Sequence, residues 1–151
     1  MDYIFSEGRV DKYDQKFDTL PLKHFITKLE LIIADYKPNI IYTHHLGDMN
    51  KDHRIIAEAT MIATRGLEIE VYGYEVFSTS GSISFEPDTY KVLEGGDIGW
   101  KGAEMKRKFP DELREHPHPR SIEGINILAL YRGSQIGKKY AEAFVTIRRI
   151  I

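Results

Sequence analysis

Residues 40–53 read IIYTHHLGDMNKDH, and this stretch decides the fold. It opens with a short apolar run, Ile40 to Thr43, whose β-branched residues predict a buried strand. A polar loop follows, and the residues from Asp52 to Arg65 predict a helix that Gly66 ends. Asn50 or Asp52 would cap this helix, because either side chain can accept a hydrogen bond from a backbone N–H there. The stretch therefore predicts a strand–loop–helix unit.

Further elements lie on both sides of this unit. Upstream, apolar residues recur at helical spacing from Leu22 to Tyr36, after Pro21 and before Lys37-Pro38-Asn39, whereas residues 1–20 show no clear period. Downstream, the sequence predicts strands at 69–77, 90–93 and 143–150, helices at 100–109 and 121–131, and a loop at 116–119. Strands that alternate with helices predict an α/β fold, Rossmann-like, with a largely parallel sheet and helices on both faces.

Composition narrows the classes of function. The 151 residues suit one soluble domain, and a net charge of −2 argues against a nucleic-acid partner, whose binding depends on neutralising phosphates. The chain has no cysteine, so a metal would have to be held by His, Asp or Glu. No apolar segment is long enough to span a membrane, and Met1 to Gly8 do not read as a signal peptide, so we expect a cytoplasmic protein. A glycine-rich phosphate loop is also absent, which disfavours a nucleotide-binding domain.

The loop after the first predicted strand carries the groups that can do chemistry. Three of the six histidines lie between residues 44 and 53, together with Asp48, Asn50 and Asp52. In a parallel sheet ligands bind beyond the carboxyl ends of the strands, and imidazole and carboxylate are good zinc ligands. His53 would lie in the first turn of the helix, where the helix dipole favours its neutral, metal-binding form. Composition alone leaves a metal site and an ordinary capped helix start equally open.

A family resemblance favours the metal site. Residues 43–53 resemble the second motif of the LmbE-like, PIG-L-type zinc-dependent N-deacetylases, T-H-x-x-x-D-x-N-x-D-H. Later segments resemble the family's downstream pattern in the same order: Phe85-Glu86-Pro87, Lys101, His118-Pro119-Arg120-Ser121, Arg132-Gly133 and Tyr140-Ala141-Glu142-Ala143-Phe144. The resemblance implies a zinc-dependent hydrolase of an N-acetylated amino sugar or its conjugate.

The resemblance also implies roles for single residues. His53 would be a zinc ligand. Asn50 would face the substrate as a hydrogen-bond donor, and Asp52 would support the metal or the substrate, so these two are the candidate catalytic residues. His44, His45, Asp48 and Arg120 are the candidate substrate contacts. Alternatives remain open: a structural role for the two histidines, a ligand or ligand-orienting role for Asp48, and a surface ion pair for Arg120.

The family's first motif, His-Pro-Asp-Asp-Glu, is not found in this sequence. In the family it supplies two further zinc ligands and the general base, and residues 4–19 resemble the segment just before the helix that precedes the second motif. We therefore expect residues 1–151 to form a single partial deacetylase domain that lacks the first βα unit, as a fragment or the product of a misplaced start codon. Zinc would be absent or weakly bound, activity would be low, and the exposed sheet would favour a homo-oligomer. The alternative is a non-catalytic sugar-binding or regulatory protein of the same fold.

Overall fold

The computed structural model describes residues 16–79 and 85–151, so the expectation of an irregular start is tested only from Lys16 onward. The elements are a 3-10 turn at Phe17–Thr19, α1 (Leu22–Tyr36), β1 (Ile40–His44), α2 (Lys51–Ala63), β2 (Glu70–Tyr74), β3 (Thr89–Leu93), α3 (Gly95–Lys108), a 3-10 turn at Pro110–Glu112, α4 (Ile122–Gln135) and β4 (Tyr140–Arg148). Among the described residues, no helix is both long enough and apolar enough to cross a membrane.

The strands form one mixed sheet in the order β1-β2-β4-β3. β1 and β2 are parallel, whereas β4 runs antiparallel to both β2 and β3. The predicted α/β class is confirmed, but the expectation of a largely parallel sheet is corrected. The reason lies in the connections: one helix, α2, joins β1 to β2 and returns the chain in the same direction, whereas two successive helices, α3 and α4, join β3 to β4 and reverse it.

The main core lies on one face of the sheet. Ile33 of α1 and Ala63 of α2 pack there with Ile69 and Val71. The strand register places Thr43 and Tyr90 on the same face, where Thr43 donates to Thr60 of α2 and Tyr90 donates to Gln135 of α4, each over 3.3 Å. The opposite face carries a row of aromatic rings from Tyr42, Tyr72 and Phe144, and Lys101 of α3 forms an ion pair with Glu142 there.

The parallel pair determines where the polar loop lies. Because β1 and β2 run in the same direction, His44 and Tyr74 end them side by side at one edge of the sheet. The loop before α2 and the segment after β2 leave from this edge, and they are joined by the hydrogen bond that Met49 N–H donates to the carbonyl of Thr79, 2.9 Å long. The loop of residues 44–53 is therefore walled by residues that follow the second strand.

Candidate metal and substrate site

The start of α2 positions His53. Asn50 is the N-cap residue, and its Oδ1 accepts a hydrogen bond from Asp52 N–H at 2.9 Å. Of the two predicted caps, the structure selects Asn50. This bond satisfies one of the free N–H groups in the first turn of the helix and fixes the orientation of the Asn50 amide. His53 lies in that first turn and is partly buried.

Asp48 is the buried centre of the loop, with 1% of its side chain exposed. Its Oδ1 accepts Asn50 N–H at 2.8 Å, and its Oδ2 accepts the Thr79 hydroxyl at 2.9 Å and lies 3.0 Å from Nδ1 of His53. Arg54 donates to the Asp48 backbone carbonyl at 2.6 Å. Asp48, predicted as a substrate contact with a ligand or ligand-orienting role as the alternative, is thus buried with both oxygens engaged inside the protein.

His44 and His53 lie ring against ring. Their centroids are 3.9 Å apart and their planes differ by 8°. Nε2 of His44 lies 3.2 Å from the hydroxyl of Tyr74, whereas its Nδ1 is buried without a hydrogen-bond partner among the described residues. Burial, followed by the proximity of His53, lowers the pKa of His44 to about 4. Burial and then the charge of Asp48 raise the pKa of Tyr74 to about 12.

The donor types at this site suit zinc, but their directions do not converge as they stand. Ligand atoms of His44, Asp48 and His53 all lie within 4.8 Å of one another. An imidazole lone pair lies in the plane of its ring, so two stacked rings cannot both direct a lone pair at one ion between them. The carboxylate of Asp48 is already engaged. His53 fits best as a ligand, because its Nε2 forms no hydrogen bond with residues 16–79 or 85–151.

The remaining predicted residues are divided between this edge of the sheet and a distant position. Nδ1 of His45 accepts Gly47 N–H at 3.2 Å, and its ring meets Phe85 edge-on at 5.1 Å between centroids. Oδ1 of Asp52 accepts Phe17 N–H at 3.2 Å, which holds the residues before α1 against the start of α2.

Arg120 is not brought to the loop. It precedes α4 and forms an ion pair with Glu112, as the alternative interpretation of the sequence expected. The opposite end of α4 reaches the site edge, where Arg132 pairs with Glu75, the residue after β2. About fourteen residues of helix, or roughly 20 Å, separate these two ends.

Sequence reasoning missed Tyr74 and Thr79. Tyr74 lies in the strand predicted at 69–77 and Thr79 lies just beyond it, and neither residue was assigned any chemistry. The sequence carried a usable signal, because parallel neighbouring strands end at the same edge of the sheet and their following residues share one site. No sequence motif marks Thr79. Its hydrogen bond with Asp48 follows from the fold, which brings the two segments together.

Comparisons with known proteins bear on the family and the fold. Residues 5–64 match the family PIG-L, GlcNAc-PI de-N-acetylase. The structure is similar to that of the conserved protein TT1542 from Thermus thermophilus, with a TM-score of 0.64 and 18% identity over 85% of this chain and 60% of that one. It is also similar to the zinc inhibited form of teicoplanin deacetylase Orf2, with a TM-score of 0.63 and 12% identity over 95% of this chain and 58% of that one. No curated protein matches the sequence.

The chain thus spans 60% and 58% of the lengths of these two solved structures. The match at residues 5–64 contains the whole strand–loop–helix unit, and the likeness in fold extends over most of the chain. The chain is thus similar to the PIG-L, LmbE-like family over residues 5–64, and its fold is similar to that of the two solved structures.

Proposed function

We propose that the chain serves zinc-dependent N-deacetylation of an N-acetylated amino sugar or its conjugate, and that His53 is its ligand to the metal. The family match supports the reaction class. The observation that carries the metal assignment is the state of His53: Nδ1 is bonded to a buried carboxylate while Nε2 has no partner among the described residues. A histidine held in this way is typical of zinc ligands in proteins.

The chain's own residues would contribute binding and orientation. Zinc, when bound, would polarise the acetamide carbonyl and make an attacking water more acidic. Asn50 would donate from Nδ2 to the oxygen that gains negative charge, because its Oδ1 is occupied by Asp52 N–H. Asp52 would support this arrangement by holding Phe17 N–H against the helix start. His44 and His45 would shape the wall of the substrate site, whereas Arg120 forms an ion pair with Glu112 and is assigned no part in it.

The same geometry supports low zinc affinity for this chain on its own. A hydrolytic zinc usually takes three protein ligands and keeps one position open. His53 is one such ligand, and the stacked ring of His44 would have to turn before it could become a second. Asp48, the carboxylate beside His53, is buried and bonded at both oxygens, so it is not free to act as a general base. We therefore propose weak zinc binding and little or no deacetylation by this chain alone.

Zinc titration by calorimetry tests the assignment of His53. We expect weak binding by the chain, loss of that binding in His53→Gln, and no change in His24→Gln, which alters an exposed histidine on α1. Equal zinc binding by the chain and by His53→Gln would contradict the assignment. Tight binding together with acetate release from N-acetylglucosamine would instead contradict the proposed weakness of the site.

Sugar binding separates the enzyme from the non-catalytic alternative. If the chain carries part of a deacetylase pocket, N-acetylglucosamine should shift the side-chain amide NMR signals of Asn50 more strongly when zinc is present. A sugar-binding protein without metal chemistry would show the same shifts with and without zinc.

We further propose that residues 1–151 form a single partial domain, that the protein is cytoplasmic and that it is a homo-oligomer. Light scattering would measure the oligomeric state.

A further inference from the structure

We infer that Asp48 is a positioning residue that fixes the tautomer of His53, so that Nδ1 carries the proton and Nε2 presents a lone pair. This inference rests on the proposed function for its purpose, but its evidence is the hydrogen-bond network. A neutral imidazole has one protonated and one bare nitrogen, and only the bare nitrogen can bind a metal. His53 can therefore bind a metal through Nε2 only when its proton lies on Nδ1.

For a neutral His53, the network around Asp48 permits only one arrangement of protons. An ionised carboxylate is an acceptor at both oxygens. Oδ1 receives Asn50 N–H, and Oδ2 receives the Thr79 hydroxyl and lies 3.0 Å from Nδ1 of His53. A bare Nδ1 at that distance would point its lone pair at a lone pair of Oδ2. Water could not relieve this repulsion, because the Asp48 side chain is only 1% exposed. The proton of a neutral His53 must therefore lie on Nδ1.

Thr79 keeps the carboxylate in place from the neighbouring strand. Its hydroxyl bonds to Asp48, and its backbone carbonyl accepts Met49 N–H at 2.9 Å. These two bonds tie the segment after β2 to the loop after β1. A carboxylate held by Asn50 N–H and the Thr79 hydroxyl, which come from two separate segments, cannot turn away from His53 without breaking these bonds.

Asp48→Asn gives a sharp test because it changes the donors at nearly constant shape. Asn50 N–H still needs an acceptor, so Oδ1 of the new amide stays on that side and Nδ2 faces His53 and Thr79. The NH₂ group would donate to Nδ1 of His53, which must then be bare, and the proton moves to Nε2. We expect zinc affinity to fall by about 10- to 100-fold, the range found when a partner that orients a metal-binding histidine is removed.

The readout is the ¹⁵N NMR spectrum of the His53 ring in the metal-free protein at a pH of about 8, above the ordinary imidazole pKa of about 6.5. We expect Nδ1–H to predominate in the unchanged chain and in Thr79→Val, where Asp48 remains a pure acceptor. Nε2–H should predominate in Asp48→Asn. Asp18→Asn removes the same charge from the neighbouring ion pair with Lys51 and should leave the tautomer unchanged.

Two results would overturn the inference: Nε2–H predominating in the unchanged chain, or Nδ1–H persisting in a folded Asp48→Asn variant. The first needs no substitution, so it decides the matter even if Asp48→Asn fails to fold. Zinc binding answers a separate question. If no variant binds zinc but the tautomer inverts as expected, the proposed function fails while the role of Asp48 stands.

Discussion

We predict that one partly buried imidazole, that of His44, makes the stability of the chain depend on pH. Burial first, and then His53, lowers the pKa of His44 to about 4, whereas in the unfolded chain it would return to the ordinary value of about 6.5. As pH falls below 6.5, the imidazole of His44 becomes protonated in the unfolded chain but stays neutral in the folded chain. The free energy of unfolding should therefore decrease between pH 6.5 and 4, by up to about 3 kcal/mol from this group, and should gain nothing from it at higher pH.

Urea unfolding of the metal-free chain, followed by circular dichroism at several pH values, measures this effect. His44→Phe retains a ring against His53 and removes the titrating group, so its unfolding free energy should lose this part of the slope. His24→Gln, on the exposed face of α1, should keep it. An unchanged slope in His44→Phe would show that other groups cause the acid sensitivity.

The residues at the site also show which contacts can be predicted from the sequence and which cannot. Asn50 and His53 were placed correctly at a helix start because capping and helical period are local properties read within a few positions. Tyr74 and Thr79 were missed because their contacts with His44 and Asp48 span 30 and 31 positions. The burial of Asp48 could not be predicted, since nothing in a loop sequence distinguishes a carboxylate that faces outward from one that is buried.

Among the elements, the start of α4 depends on a glycine. A Cβ at Gly124 would overlap the backbone oxygen of Pro119, inside the turn that Ser121 closes by accepting Gly124 N–H at 2.9 Å. Alanine has the higher helix propensity by about 1 kcal/mol, but the clash involves backbone atoms that cannot move aside as a side chain could. We predict that Gly124→Ala destabilises the chain by about 1–3 kcal/mol, the usual cost of overpacking.

Gly99→Ala in α3 is the matched control, because a Cβ there meets no other atom within 4 Å. Here helix propensity acts alone, and thermal unfolding should show a gain of about 0.5–1 kcal/mol. The opposite signs of two identical substitutions are the test. Stabilisation by Gly124→Ala would mean that α4 does not begin against Pro119 as described.

Element types were more predictable than element directions. Apolar period and turn residues placed each described α-helix and strand, although α3 begins at Gly95, five positions before the start predicted at 100. The expectation of a largely parallel sheet failed because strand direction depends on whether one helix or two join a pair of strands. The sequence predicted a loop at 116–119 between two helical stretches. It did not predict that two helices in succession would make β4 run antiparallel to its neighbours.

For the molecule as a whole, one buried ion pair joins the parallel part to the antiparallel part. Nε and one terminal NH₂ group of Arg132 on α4 donate to the two carboxylate oxygens of Glu75 at 2.5 and 2.6 Å, and each side chain is 7% exposed. The guanidinium also lies over the ring of Phe85, 5.1 Å from its centroid. Removing one partner would leave a buried charge unpaired, so we predict that Arg132→Met lowers the free energy of unfolding by about 3–5 kcal/mol.

Removing both charges separates two contributions to the free energy of unfolding: the penalty for burying one unpaired charge and the net stabilisation by the ion pair. Arg132→Met combined with Glu75→Leu should recover most of the stability lost in Arg132→Met, because a buried pair replaced by apolar groups of similar volume is often neutral. Lys51→Met, which breaks the exposed pair with Asp18, should cost less than about 1 kcal/mol. Urea unfolding of the single and double variants gives the coupling directly. Additive losses in the double variant would mean that Arg132 stabilises the chain by packing on Phe85 and α4 and not by neutralising Glu75.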